Sequence, residues 1–216
     1  MTRAALAEFL GAMLLTAAVV GSGIMAERLA GGNTAVALLA NTLATVAALA
    51  TLIALFGPVS GAHFNPVISL VALAMRKLAP KRAAVYLLAQ FAGCCAGTML
   101  ANAMFELPLI VASTHVRSGG AQWLSEIVAT AGLVAIAFRA PSLSSAAWRV
   151  PAWIGAAYWF TASTSFANPA ITVARSLSNT FAGIRPADTP GFILAQFLGA
   201  AVGVSLLQMF AQPKPA

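Results

Sequence analysis

Long apolar runs separated by short polar breaks set the pattern of this chain. Six runs meet or approach the about 20 residues that carry a helix across a bilayer: residues 4–26, 34–56, 83–105, 122–138, 151–162 (extendable) and 191–210. The first follows Arg3 and has the look of a secretory leader. It is too long for one, carries Glu8 and takes part in the repeat described next, so it is expected to stay as a span. Two further apolar stretches follow Asn65 and Asn168, each about ten residues long and too short to cross.

The pattern repeats itself. Ala89-Gln-Phe-Ala-Gly93 returns as Ala195-Gln-Phe-Leu-Gly199, and Phe64-Asn-Pro-Val67 returns as Ala167-Asn-Pro-Ala170. Glu8 opens the first span and Glu126 lies early in the fourth. Residues 4–106 and 122–210 thus form two halves of three spans each within a single domain, 1–216. An odd number of spans per half inserts the second half upside down, with a pseudo-two-fold axis in the membrane plane. Gly93 and Gly97, like Gly199 and Gly203, stand four apart, the spacing that lets helices approach closely in lipid. They are expected to pack the third span on the sixth.

Composition agrees. Hydrophobic residues make up 60% and charged residues only 8%, with a mean hydropathy of +0.88. A soluble domain carries roughly 25% charge. The net charge of +7 comes from Lys and Arg flanking the spans and does not indicate nucleic acid. On the side of the termini lie Arg3, Arg76, Lys77, Lys81, Arg82, Arg139, Arg149 and Lys214, against Arg28, Arg117, Arg175 and Arg185 opposite, which predicts cytoplasmic termini. Trp123, Trp148 and Trp153 sit near span ends, where interfacial aromatics anchor. Cys94 and Cys95, adjacent in an apolar run, read as packing residues.

The two short stretches carry the chemistry. Pro66 and Pro169 suit the first turn of a helix, which leaves Asn65 and Asn168 at the N-cap. Each stretch reads as a half-helix that dips in and stops near the midplane, one from each side. Irregular backbone at that depth is tolerated where it lines a cavity. Two helix N-termini meeting at the centre put positive dipole ends together and oppose cations and protons. Such a centre suits neutral, hydrogen-bonding solutes.

These features together resemble the major intrinsic proteins, that is, aquaporins and aquaglyceroporins. The matching segments are Glu8-Phe-Leu-Gly11, Ser60-Gly-Ala-His-Phe-Asn-Pro-Val67, Ala89-Gln-Phe-Ala-Gly93, Ser165-Phe-Ala-Asn-Pro-Ala170 and Ala195-Gln-Phe-Leu-Gly199. The resemblance implies an all-α membrane fold of six transmembrane helices plus two re-entrant half-helices, passive flux and a homotetramer. It places the pore constriction at Asn65, Pro66, Val67, Asn168, Pro169 and Ala170. Most members carry Arg directly after the second box, where this chain has Ile171. Counting along the family pattern without gaps puts the other filter positions on Thr45, Ala156 and Ser165. That filter is small and lacks aromatics, which implies passage of solutes larger than water. Arg175 lies one helical turn past Ile171, from where it either reaches back to the filter or holds the outer surface. The segment from Ser165 through Ile184 is similar to a bacterial branch associated with arsenic resistance. That implies arsenite, methylated arsenicals or glycerol as solutes, besides water.

Glu8 and Glu126 are expected to accept N–H groups from the dipping loops, and His63 to hold its loop through packing and hydrogen bonding. His115 and Arg117 carry no signal of their own. No metal cluster, cofactor motif or catalytic triad appears in the sequence, so no enzymatic activity, metal or cofactor is assigned. The residues leave two other functions open: a proton-coupled transporter working through Glu8 and Glu126, and a water-selective channel. A non-conducting scaffold is disfavoured by the paired half-helices. The expected location is a bacterial inner membrane.

Overall fold

A computed structural model describes residues 2–210, so Lys214 of the charge count lies outside the described residues. The chain forms α1 (Arg3–Leu29), α2 (Thr34–Ser60), α3 (Pro66–Ala74), α4 (Pro80–Met104), α5 (Gly120–Arg139), α6 (Leu143–Phe160), α7 (Pro169–Arg175) and α8 (Thr189–Met209). A single 3-10 turn, Pro186–Asp188, precedes α8. At 1.5 Å per residue the 27-residue α1 and α2 are each about 40 Å long, enough to cross a bilayer with tilt. By length and composition α1, α2, α4, α5 and the segment ending in α8 qualify as spans. α6 is less apolar because it opens on Ser144, Ser145 and Arg149. It begins eight residues before Pro151, where a span was expected to start: Ser142 caps it by accepting from the Ser145 N–H at 3.1 Å, and Pro151 lies inside it.

The same packing recurs in the two halves of the chain. α1 packs on α2 and α4 as α5 packs on α6 and α8, and α2 lies against α6. The half-helices cross over: α3 touches α4 and α8, while α7 touches α8 and α4. The glycine pairs serve a seam different from the expected one. A Cβ on Gly93 or Gly97 would run into the backbone carbonyls of Phe9 and Met13 on α1. One on Gly199 or Gly203 would meet those of Ile127 and Ala131 on α5. The third and sixth spans therefore use their glycines to seat the first and fourth, not each other. Backbone meets backbone there, and no side chain can retract to make room.

Both half-helices begin as the sequence dictates. Asn65 caps α3 by accepting from the Val67 N–H at 2.9 Å, and Asn168 caps α7 by accepting from Ala170 N–H at 3.0 Å and Ile171 N–H at 3.3 Å. Pro66 and Pro169 fill the first turn, where no N–H is missed.

Gly97→Val should lower stability by about 3 kcal/mol or more, the upper end of overpacking costs, because the obstacle is backbone. Thermal unfolding in detergent would show it as a large drop in midpoint; an unchanged midpoint would contradict the seam.

Candidate functional site

Between α2 and α3, and between α6 and α7, the chain dips inward in backbone that is neither helix nor strand. It alternates through left-handed conformations at Ala62 (φ 50°) and Phe64 (φ 48°), then at Thr164 (φ 61°), Ser165 (φ 52°) and Ala167 (φ 47°). None of these is glycine, so each is strained and needs outside support.

Two buried carboxylates supply it. Glu8 accepts the His63 N–H at 2.9 Å and the Phe64 N–H at 2.7 Å, with the Ser60 hydroxyl at 2.6 Å and the Gln90 amide at 2.7 Å. Glu126 accepts the Phe166 N–H at 2.9 Å and the Ala167 N–H at 2.8 Å, with the Ser163 hydroxyl and the Gln196 amide both at 2.6 Å. Every partner is a donor, the pattern an ionised carboxylate satisfies. The glutamines continue the correspondence: Gln90 also donates to the Ser69 hydroxyl at 2.8 Å and Gln196 to the Thr172 hydroxyl at 2.9 Å. Ser69 in turn meets His63 Nδ1 at 3.0 Å, and the His63 ring lies edge-on to Tyr86, as Phe166 does to Phe192. His63 is thus bonded to Ser69 of α3 and packed on Tyr86 of α4.

The loops meet at the centre. The Asn65 amide donates to the Ala167 carbonyl at 2.7 Å, and the Asn168 amide to the Phe64 carbonyl at 2.9 Å. Each Asn ties its own helix cap to the opposite loop. An amide nitrogen has two hydrogens, so one remains for a solute.

A cavity of about 350 Å³ runs past both asparagines. One end is lined by Ser142, Leu143 and Ala146, near the start of α6, and the other by Thr45, Tyr158, Ser165, Phe166 and Arg175. In between, Leu15, Val19, Leu49, Ile53, Leu133 and Ile154 form an apolar wall facing the loops. Pro66, Val67, Pro169 and Ala170 are buried beside the two asparagines but do not line the cavity.

A match to a family model then decides the class. Residues 1–156 match the model described as "Major intrinsic protein". The chain belongs to the major intrinsic protein family. Members are membrane channels, and this protein is a multi-pass channel for water and small neutral solutes, not an enzyme. It is 53% identical over 215 residues to the aquaglyceroporin AqpS of Rhizobium meliloti (strain 1021), covering 99% of this chain and 92% of that protein. Over 95 residues, 44% of the chain and 34% of the relative, it is 45% identical to the lens fiber major intrinsic protein of Gallus gallus. The X-ray structure of the aquaglyceroporin from Plasmodium falciparum shares the fold at a TM-score of 0.70, with 18% identity and 96% of each chain covered.

Within this channel Thr45, Ser165, Ile171 and Arg175 border the cavity, as the family pattern implies, but Ala156 does not. Ala156 is exposed and lines an outer groove with Ile136, Trp148 and Trp153. Val150, Ile154 and Tyr158 stand four apart and share the inward face of α6; Ala156 is two residues off that stripe and turns outward. Ungapped counting misses this. Tyr158 takes the place at the mouth, its hydroxyl 3.4 Å from Thr45 Oγ1. The mouth is therefore not free of aromatics, since Phe166 lies there too.

Arg175 points inward rather than to the outer surface. It is 3% exposed, its guanidinium carbon sits 3.4 Å from the centre of the Phe166 ring, and its Nε donates to the Ala182 carbonyl. A second arginine, for which the sequence carried no signal, is buried behind it. Arg117, in the loop between α4 and α5, lies with its guanidinium carbon 5.2 Å from the same ring. Burial pushes its pKa down to about 10 despite the opposing charge of Glu126, so it remains protonated at neutral pH.

Glu8→Gln and Glu126→Gln each set an amide against donors and remove charge-assisted bonds. Each should cost about 3 kcal/mol and reduce the amount of folded channel. Unfolding midpoints in detergent check this, and an undisturbed protein would show that the loops hold themselves.

Proposed function

We propose that this channel passes small neutral polyhydroxylated solutes, glycerol and metalloid hydroxides such as arsenite and methylated arsenicals among them, as well as water. What supports this most is the two-sided mouth. Tyr158 offers apolar ring surface, while Thr45, Ser165 and Arg175 offer hydroxyls and N–H groups. A solute with carbon or arsenic on one side and hydroxyls on the other exchanges its hydration for these contacts. Asn65 and Asn168 then serve as donors at the constriction, and the apolar wall gives cations nothing to coordinate. The relative named an aquaglyceroporin fits the same solute class. Assembly as a homotetramer in the inner membrane of a bacterium, with cytoplasmic termini, completes the proposal; the charge bias of the loops supports the orientation.

Stopped-flow light scattering on proteoliposomes tests it. Fast shrinkage in an impermeant osmolyte, followed by fast re-swelling in glycerol and in arsenite, is expected. Shrinkage without re-swelling would reduce the channel to water. Tyr158→Ala should widen the mouth and speed re-swelling in polyols longer than glycerol, whereas Ala156→Leu, on the outer face, should leave all rates unchanged. The opposite ranking would return Ala156 to the filter.

A further inference from the structure

The two buried arginines at the mouth are used differently. Arg117 spends its guanidinium on backbone: Nε donates to the Gly183 carbonyl at 2.8 Å, Nη2 to that of Phe181 at 3.3 Å and Nη1 to that of Ser163 at 3.5 Å. Its own N–H donates to Asp188 at 2.9 Å, and Asp188 is paired with Arg185 at 2.8 Å. Arg175 makes one such bond, from Nε to the Ala182 carbonyl, and its Nη1 and Nη2 find no acceptor among the described residues. Three consecutive carbonyls, Phe181 to Gly183, thus face two guanidinia. The outer two are held by Arg117 and the middle one holds Arg175. Both cations rest on Phe166. Gly183 is fixed in this turn, since a Cβ would press on the Ser178 carbonyl at 2.6 Å. Arg117 does not line the cavity, whereas Arg175 does.

We propose that Arg117 is a positioning residue: it clamps the strap from Phe181 to Gly183, the clamped Ala182 carbonyl orients Arg175, and solute selection at the mouth therefore depends on a loop arginine that solute never touches. This rests on Arg175 being a solute-facing donor of the mouth, as proposed above. A guanidinium with one fixed nitrogen and a ring beneath it presents its remaining N–H groups in one plane, ready for a passing hydroxyl. With the strap released, Arg175 keeps its charge but loses that plane. Glycerol, which needs the donors in register, is affected more than water, which does not.

The test is a double-mutant cycle on the full chain in proteoliposomes, read as the ratio of glycerol to water permeability. Arg117→Gln should lower the ratio roughly tenfold, the lower end expected for one charge-assisted hydrogen bond lost in transit. In an Arg175→Leu background Arg117→Gln should have no further effect, because its route of action is gone. Arg117→Lys retains the charge without the planar fork, so it should behave like the Gln variant and serves in its place if that variant does not fold. An Arg117→Gln effect of equal size with and without Arg175 would overturn the proposal, as would no effect of Arg117→Gln beside a clear effect of Arg175→Leu. If Arg175→Leu itself leaves the ratio unchanged, the mouth reading fails and the positioning role fails with it.

Discussion

Backbone at the centre of a bilayer has no water to bond with, and every feature of this channel answers to that constraint. Helices satisfy it internally. The two dipping loops cannot, and their left-handed residues make regular structure impossible. Glu8 and Glu126 resolve the conflict by presenting anionic oxygen to consecutive N–H groups of each loop. Burying a carboxylate costs several kcal/mol, and that cost is met only when its oxygens are fully bonded. Four donors surround each one, which offsets the penalty and spends both oxygens on holding the loops.

Once the loops are held, the pathway follows. Carbonyls that do not bond within a helix are left along the lumen, and Asn65 and Asn168 each lock one of them on the opposite loop. The two helix N-termini are thereby fixed nose to nose, and their partial positive charges disfavour cations. At the mouth the same logic recurs with the signs reversed. Carbonyls of Phe181, Ala182 and Gly183 are bonded by buried guanidinia, and one of these, Arg175, keeps N–H groups that no carbonyl among the described residues takes up.

Much of this was legible in the chain because the repeat shows twice what one copy would leave ambiguous. Paired Asn-Pro boxes announced the half-helices, and Glu8 with Glu126 announced the anchors. The misses share a physical cause. Which way a residue faces on a helix is set by a 100° step, so ungapped counting chose outward-facing Ala156, whereas Tyr158, two residues on, faces the cavity. The glycine pairs signalled close approach but not the partner, because partner choice is tertiary. Arg117 was invisible for a different reason: its acceptors are backbone carbonyls, which leave no trace in residue type, and the loop that carries it has no periodicity.

The central claim is that Glu8 and Glu126 are anchors, so flux is passive and carries no proton. The most direct measurement is the steady-state level of labelled glycerol inside proteoliposomes held under an imposed pH gradient and membrane potential. Equal concentrations inside and outside, whatever the sign of either gradient, are predicted. Accumulation that follows the proton gradient would contradict the account and return the two carboxylates to a coupling role.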